Sequence, residues 1–391
     1  MEGTMGKEKV RISQCMIVKN EEDNIERALS WGRDVMYEQI VVDTGSIDRT
    51  AELASALGAK VYHFEWSDDF SAAKNFALSK AKGDWIAFLD ADEYLDSEWA
   101  EKLPELLEML QESPYHVIDS PLLCMDGGRV TTVLRKYRFF RNIPEICYYE
   151  PIHEYLVYNG RGIPQNCLVS TEDDFPIYHT GYTAEAMEKK KKSERNIRIL
   201  KKELERNPDS YRIMGYLADS YYQCPDGKEE AAYWYQKAIE KMPETVQNGD
   251  ESSAQTFIHG MVCLTQQGME EEVILRCYEA AVQKVPWVYD IDYVIGIYYF
   301  QKEKWKKAAF HLERGLQIRE QYGSASYGIY MLTDIDSIKE QLAYAKSKNY
   351  GQKEIRVSQC MIVKNEEDNI EKALSWGKEI FCEQIVVDTG S

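Results

Sequence analysis

Two aspartates, Asp90 and Asp92, follow the apolar run Trp85-Ile86-Ala87-Phe88-Leu89. A buried strand ending in two carboxylates offers hard oxygen ligands suited to Mg²⁺ or Mn²⁺, and a divalent ion lets a diphosphate approach an acidic site. Solvated turns also produce lone Asp-x-Asp pairs, so the company of this pair matters. Asn20 and Glu21 follow an apolar run over residues 10–18, and Asp43 follows another over 39–42. Two histidines stand in suggestive contexts: His153-Glu154 after CYYEPI, and His179 within IYHTGY. A single histidine is more often a satisfied polar residue than a ligand. Glu172, Asp173 and Asp174 form a third acidic group, whose adjacency reads as a solvated turn.

The elements that must hold these groups are legible from periodicity. Ile25, Ala28, Leu29 and Trp31 recur on one side of a helix after the first run. Asp48 stands where a helix N-cap belongs, ahead of Ala51, Leu53, Ala54 and Leu57, and Gly58 ends that helix. Residues 60–63 read as a third strand, 70–81 as a helix and 84–89 as a fourth strand. Strands alternating with helices predict an α/β domain with a mainly parallel sheet and helices on both faces. Ligands bind beyond the carboxyl ends of such strands, where Asn20, Glu21, Asp43 and Asp92 all fall. Further on, residues 115–125, 130–140 and 146–158 are strand-like, with Asp126-Gly127-Gly128 as a hairpin turn. Arg135, Arg138 and Arg141 alternate with aromatic residues there, which fits either pairing with phosphates or a solvated sheet face.

The words MIVKNEE (16–22), VVDTGSIDRT (41–50), DFSAAKNFAL (69–78) and GDWIAFLDADEYL (83–95), in that order and spacing, closely resemble the family 2 glycosyltransferases of GT-A fold. The resemblance covers roughly residues 11–182. It implies a sugar-nucleotide donor, most often UDP-linked, and a Mn²⁺ or Mg²⁺ ion. By family position Asp43 would contact the base or ribose, and Asn20 and Glu21 would line the nucleotide pocket. Asp90 would reach the ribose or diphosphate, with Ala91 beside it, and Asp92 would hold the metal. The family often has Arg where Lys74 stands next to Asn75; the charge is kept and the planar fork is lost. Related enzymes show an HE pair and a later His-x-Gly-Tyr. The resemblance therefore implies Glu154 as catalytic base beside a donor-binding His153, and His179 as completing the metal site. The three acids at 172–174 are rivals for the base. The implied reaction is a direct, inverting displacement at the anomeric carbon.

Beyond Gly181 helical periodicity takes over. Residues 189–192 with Arg195 and Arg198 read as a solvated basic helix face. Three helix pairs follow, around residues 217–243, 261–286 and 295–315, and the last two lie 34 residues apart, the tetratricopeptide period. Small residues at Ala218, Ala231, Gly296 and Ala308 allow close helix packing. This part resembles tetratricopeptide repeats, which expose a concave surface for peptides or partner subunits, including a second copy of the chain as a homodimer. A rigid spacer is the plainer reading. A transferase domain with such a tail resembles bacteriocin peptide glycosyltransferases, including S-linked ones, so the expected acceptor is a peptide, protein or glycan.

The chain also resembles itself. Residues 11–46 recur as 356–391 with 29 of 36 positions identical. Thirty-six residues with two strands and a helix cannot bury a core alone. The expected organisation is therefore a GT-A domain (1–182), a tetratricopeptide-like helical domain (183–350) and the beginning of a second module (351–391).

Composition narrows the function classes. Of 391 residues, 66 are Asp or Glu and 47 Lys or Arg, a net charge of −19 that opposes phosphate backbones and anionic lipid, so no nucleic-acid partner is expected. No apolar run approaches the roughly 20 residues a bilayer requires, and residues 1–9 lack a signal-peptide core. Nine cysteines without CxxC spacing read as reduced thiols in a cytoplasmic protein. The alternative to an enzyme is a non-catalytic tetratricopeptide scaffold carrying a relic nucleotide-sugar domain. A nucleotidyltransferase is disfavoured because no glycine-rich, basic phosphate loop follows the first strand.

Overall fold

The computed structural model describes residues 9–180, 186–246, 250–323, 335–349, 357–375 and 381–390. The chain divides into two compact units, Met1–Ala280 and Ala281–Ser391.

In the first unit, β1 (Ile12–Val18), β2 (Glu38–Asp43), β3 (Lys60–His63) and β4 (Trp85–Phe88) lie parallel in the order β3-β2-β1-β4. Central parallel strands are covered on both faces, which is why β1 and β4 read as continuous apolar runs rather than alternating ones. The helices α1 (Ile25–Ser30), α2 (Thr50–Ala56) and α3 (Phe70–Lys80) supply that cover. α1 buries Ile25, Ala28 and Leu29, the i, i+3, i+4 set expected from the sequence. α2 starts one residue later than expected, with Arg49 at the N-cap position; Asp48 instead accepts the Thr50 N–H at 3.0 Å and the Glu22 N–H at 3.2 Å, tying two loops together.

After β5 (Glu93–Tyr94) and α4 (Ser97–Leu110), the sheet becomes mixed. β6 (Val117–Asp126) and β7 (Arg129–Arg141) form a hairpin with Asp126 opposite Arg129, and β7 runs antiparallel to β4. The two-residue turn needs positive φ at both positions, which Gly127 (54°) and Gly128 (81°) supply. The strand expected over 146–158 is instead a hairpin of β8 (Ile146–Tyr149) and β9 (Tyr155–Tyr158). Glu150 and His153 take left-handed backbone (φ 71° and 55°), so the chain leaves the ladder and lifts Glu154 out of it. β10 (Leu168–Ser170) and β11 (Ile177–His179) both pair with β6, and β11 also pairs with β5. The architecture is thus the expected one, a mainly parallel mixed sheet followed by helices.

The helices are α5 (Ala186–Arg206), α6 (Tyr211–Tyr222), α7 (Lys228–Lys241), α8 (Glu251–Gln266) and α9 (Glu271–Lys284). Ala218, Ala231 and Tyr235 are fully buried where α6 meets α7, so part of the tyrosine content is helix-pair packing.

The second unit holds α10 (Asp290–Gln301), α11 (Trp305–Tyr322) and α12 (Ile335–Asn349). A Cβ at Gly296 would stand 2.7 Å from Leu312 Cδ2 and 3.2 Å from the Leu312 backbone nitrogen, so α10 and α11 approach closely there. The repeated segment forms β12 (Val357–Val363), α13 (Glu367–Ser375) and β13 (Phe381–Asp388), with β12 parallel to β13. Among the described residues no helix is long and apolar enough to cross a membrane.

Candidate active site

A cavity of about 700 Å³ opens at the carboxyl ends of β1 and β4, within the size range of small-molecule sites. Asn20, Glu21, Lys74, Asp90, Ala91, Asp92 and Glu154 line it. The two strand ends and the β8–β9 connection therefore bring together residues separated by up to 134 positions.

Each loop is tied before it meets a ligand. Asn20, in left-handed backbone, donates its N–H to Ser46 Oγ at 2.9 Å and accepts the Ile47 N–H at 2.9 Å on its amide oxygen. Glu21 N–H bonds Thr50 Oγ1 at 2.7 Å. The end of β1 and the loop after β2 are thus one hydrogen-bonded unit. Asp43 lies within it, buried, accepting the Ser46 N–H at 3.0 Å and lying 3.3 Å from His63 Nδ1; its neighbour Thr44 lines the cavity instead.

The charged centre is an alternating chain of carboxylates and cations. Lys74 sits on the buried face of α3, 3% exposed, with Nζ 2.8 Å from Glu154 Oε1 and 3.6 Å from Asp90 Oδ1. Its ammonium also stands 5.1 Å from the Phe88 ring and 5.0 Å from the Tyr148 ring. Arg138 bonds Asp90 Oδ2 at 2.7 Å and also Glu93. It faces neither solvent nor an open phosphate site, so both readings of that basic strand give way to a third. Arg135 bonds Asp119, and Arg141 bonds the carbonyls of Tyr115, Leu110 and Gln111.

Electrostatics follow from this packing. Burial alone would lift the Asp90 carboxyl, but Arg138 and Lys74 outweigh it and hold it well below the usual carboxylate range. Burial lifts Glu93 despite Arg138. Burial would lower Lys74, yet Asp90 and Glu154 raise it above its ordinary value. Asp90 is thereby committed to internal cations, while Asp92 faces His179, Oδ2 to Nε2 3.2 Å. Burial opposes a charged imidazole at His179, and the Asp92 carboxylate overcomes it, raising the pKa.

Two expected site residues, Asn75 and His153, turn elsewhere. Asn75 donates to the Tyr148 carbonyl at 2.9 Å and accepts the Tyr148 N–H at 2.8 Å, so it anchors β8 to α3. His153 stacks on Tyr216 of α6 with ring centroids 3.9 Å apart. His179 stands beside Asp92 rather than on the cavity wall. The acids Glu172, Asp173 and Asp174 lie in the turn before β11 and do not line the cavity.

Eight lining residues were not singled out from the sequence as site residues, among them Trp66, Phe70, Lys192 and Arg195. The basic face expected on α5 is corrected in part: the side chains of residues 189–191 lie outside the described residues, while Lys192, Arg195 and Arg198 are not simply solvated. Lys192 and Arg195 line the cavity, while Arg198 and Lys202 pair with Asp68 at 2.6 and 2.7 Å. The apolar residues Ile197, Ile199, Leu200 and Leu204 on the same helix were the available signal that α5 docks on something.

Residues 13–160 match the family model for glycosyl transferase family 2. A TPR repeat-containing protein of Synechococcus elongatus is 30% identical over 283 residues, covering 72% of this chain and 68% of that one. The SPbeta prophage-derived glycosyltransferase SunS of Bacillus subtilis is 26% identical over 226 residues, 57% of this chain and 52% of SunS. The chain thus spans about two thirds of the first relative and about half of the second. Among solved structures, S. aureus TarS 1-349 in complex with UDP-GlcNAc covers 88% of this chain and 92% of its own at 15% identity and a TM-score of 0.38, a likeness from which nothing further is drawn. Residues 13–160 thus belong to glycosyl transferase family 2, in a chain related over 72% of its length to a TPR repeat-containing protein.

Proposed function

We propose that this chain is a metal-dependent, inverting transferase that moves a sugar from a nucleotide-sugar donor, UDP-linked, to a peptide, protein or glycan acceptor. The observation that carries the reading is the convergence of Asn20, Glu21, Asp90 and Asp92 with Glu154 in one cavity. Within it the GT-A domain of residues 1–182 is the catalytic part, and the helices of 183–350 complete the site or engage partners.

Asp92 and His179 would hold the ion. Asp92 Oδ2 and His179 Nε2 lie 3.2 Å apart, so both could reach one cation. Carboxylate oxygen with imidazole nitrogen suits Mn²⁺ or Mg²⁺. Among the described residues no group of three protein ligands gathers, so the protein alone would supply an incomplete ligand set. The bound ion supplies Lewis-acid stabilisation of charge on the departing diphosphate.

Glu154 acts as general base. The acceptor oxygen or sulfur attacks the anomeric carbon, its proton passes to Glu154, and the bond from that carbon to the diphosphate oxygen breaks with its electron pair leaving on UDP. Lys74 orients Glu154 for this step. Asn20, Glu21 and Asp90 shape the nucleotide side.

UDP release from a panel of UDP-sugars with Mn²⁺ tests the reading. Glu154→Gln is expected to keep donor binding and to lower transfer by roughly 10²–10⁴-fold, while Asp92→Ala loses the metal dependence of UDP binding. Unchanged transfer by Glu154→Gln removes it as base. No release and no nucleotide binding with any UDP-sugar leaves the scaffold reading in its place.

A further inference from the structure

Most cations near the cavity are neutralised from within: Lys74 by Asp90 and Glu154, Arg138 by Asp90 and Glu93. Arg195 differs. Its guanidinium hydrogen-bonds Asn196 Oδ1 of its own helix at 3.1 and 3.2 Å and lies 4.9 Å over the Phe70 ring. Among the described residues no carboxylate pairs with it directly; Glu154 and Asp68 act on it only from further away, and burial outweighs them and lowers its pKa. Lys192, three residues earlier on α5 and so on the same face, lines the cavity with it. Phe70 and Trp66 pack edge to face at 4.8 Å and form an apolar wall. This wall belongs to the Glu154 side, since Phe70 N–H bonds the Pro151 carbonyl at 2.8 Å, three residues before Glu154.

A partly buried guanidinium without a carboxylate partner is costly unless the bound state supplies an anion, and its planar fork matches an oxyanion. The donor diphosphate has the metal side of the cavity. A cation beside the base faces what the base deprotonates. We propose that Arg195 and Lys192 form an anion subsite for the acceptor, which therefore carries a phosphate or carboxylate near the group that receives the sugar, its apolar part lying on Trp66 and Phe70. This inference rests on the transferase reading above.

The test titrates the full chain, first with UDP and Mg²⁺. The UDP-loaded protein is then titrated with glycerol 1-phosphate, glycerate and glycerol by calorimetry. At least one of the two anions is expected to bind ten times more tightly than glycerol, and which one does so separates phosphate from carboxylate. Arg195→Ala is expected to erase the preference and Arg195→Lys to keep a few-fold of it. Equal binding of all three probes by the wild type overturns the inference. A preference that survives in Arg195→Ala does so too, because it then arises from the metal or elsewhere. A tenfold loss of UDP affinity in Arg195→Ala assigns the residue to the donor and also overturns it. Failure of UDP to bind the wild type removes the transferase reading and this inference with it.

Discussion

Lys74 shows how one side chain organises a reactive centre. Its ammonium is buried between Asp90 and Glu154, with aromatic faces of Phe88 and Tyr148 completing its surroundings. An ion pair taken out of water is held by geometry, and removing one partner leaves an uncompensated charge. Lys74→Met is therefore expected to lower the unfolding free energy by about 3 kcal/mol in urea titration. Retained stability would mean that Glu154 and Asp90 are more hydrated than the geometry implies. Strand ends made Asn20, Glu21, Asp90 and Asp92 legible as neighbours because they are local properties of the sequence, and the family resemblance added Glu154 and Lys74. Asn75 and His153 sit inside the same motifs yet turn to Tyr148 backbone and the Tyr216 ring. Side-chain direction there depends on β8 and α6, which spacing does not encode.

The connection from β8 to β9 carries Glu154, the proposed base, and the helical region grips it. Ile152 packs into one cluster with Ile199, Leu200 and Leu217 from α5 and α6, and His153 stacks on Tyr216. Two left-handed residues, Glu150 and His153, are tolerated because this packing over-determines them. α5 and α6 thus act as part of the base's support, which a detached spacer would not. Tyr216→Ala should lower kcat for UDP release about tenfold, since a small displacement of a catalytic group is costly. The donor KM should stay within twofold and Tyr216→Phe should restore the rate; equal loss in both variants would mean a general folding defect. The same docking carries a pH signature. Arg198 and Lys202 bond Asp68 and hold its carboxyl well below the usual carboxylate range. A carboxyl titrating below its unfolded value of about 3.9 contributes fully above that pH and loses its contribution as the pH falls further. Both cations are more than half exposed, so solvent screening limits the effect to about 1 kcal/mol. Asp68→Asn should be less stable by that amount at pH 7, and the difference should shrink progressively as the pH falls below about 3.9. A constant difference across the range would remove the ion pairs as its cause. The basic run on α5 could not announce this role, because its partners lie more than a hundred residues earlier.

At the scale of the whole molecule, the repeated segment separates what a local sequence determines from what its surroundings add. The second copy reproduces several bonds of the first: Ser358 Oγ bonds Glu383 at 2.7 Å as Ser13 bonds Glu38, and Thr389 N–H reaches the Val363 carbonyl at 3.0 Å as Thr44 reaches Val18. Pairing registers agree from Ser13↔Glu38 to Val18↔Asp43 and from Ser358↔Glu383 to Val363↔Asp388. Burial does not follow. Val41 and Val42 are fully buried, whereas Val386 and Val387 are 40% and 51% exposed. β2 is flanked by β1 and β3, while among the described residues β13 pairs with β12 alone. Local pattern thus sets the ladder and the helix, and packing against further strands sets the core. Opening free energy rises with buried contacts and two-sided hydrogen bonding. The identical stretches 38–46 and 383–391 should therefore differ in amide exchange, with residues 385–388 exchanging about a hundredfold faster than 40–43. Peptides that include Tyr37 or Cys382 differ in mass, so hydrogen-exchange mass spectrometry resolves the two. Equal protection would show that the second copy has acquired cover equivalent to the first, and the exposure of Val386 and Val387 would then not describe the chain in solution.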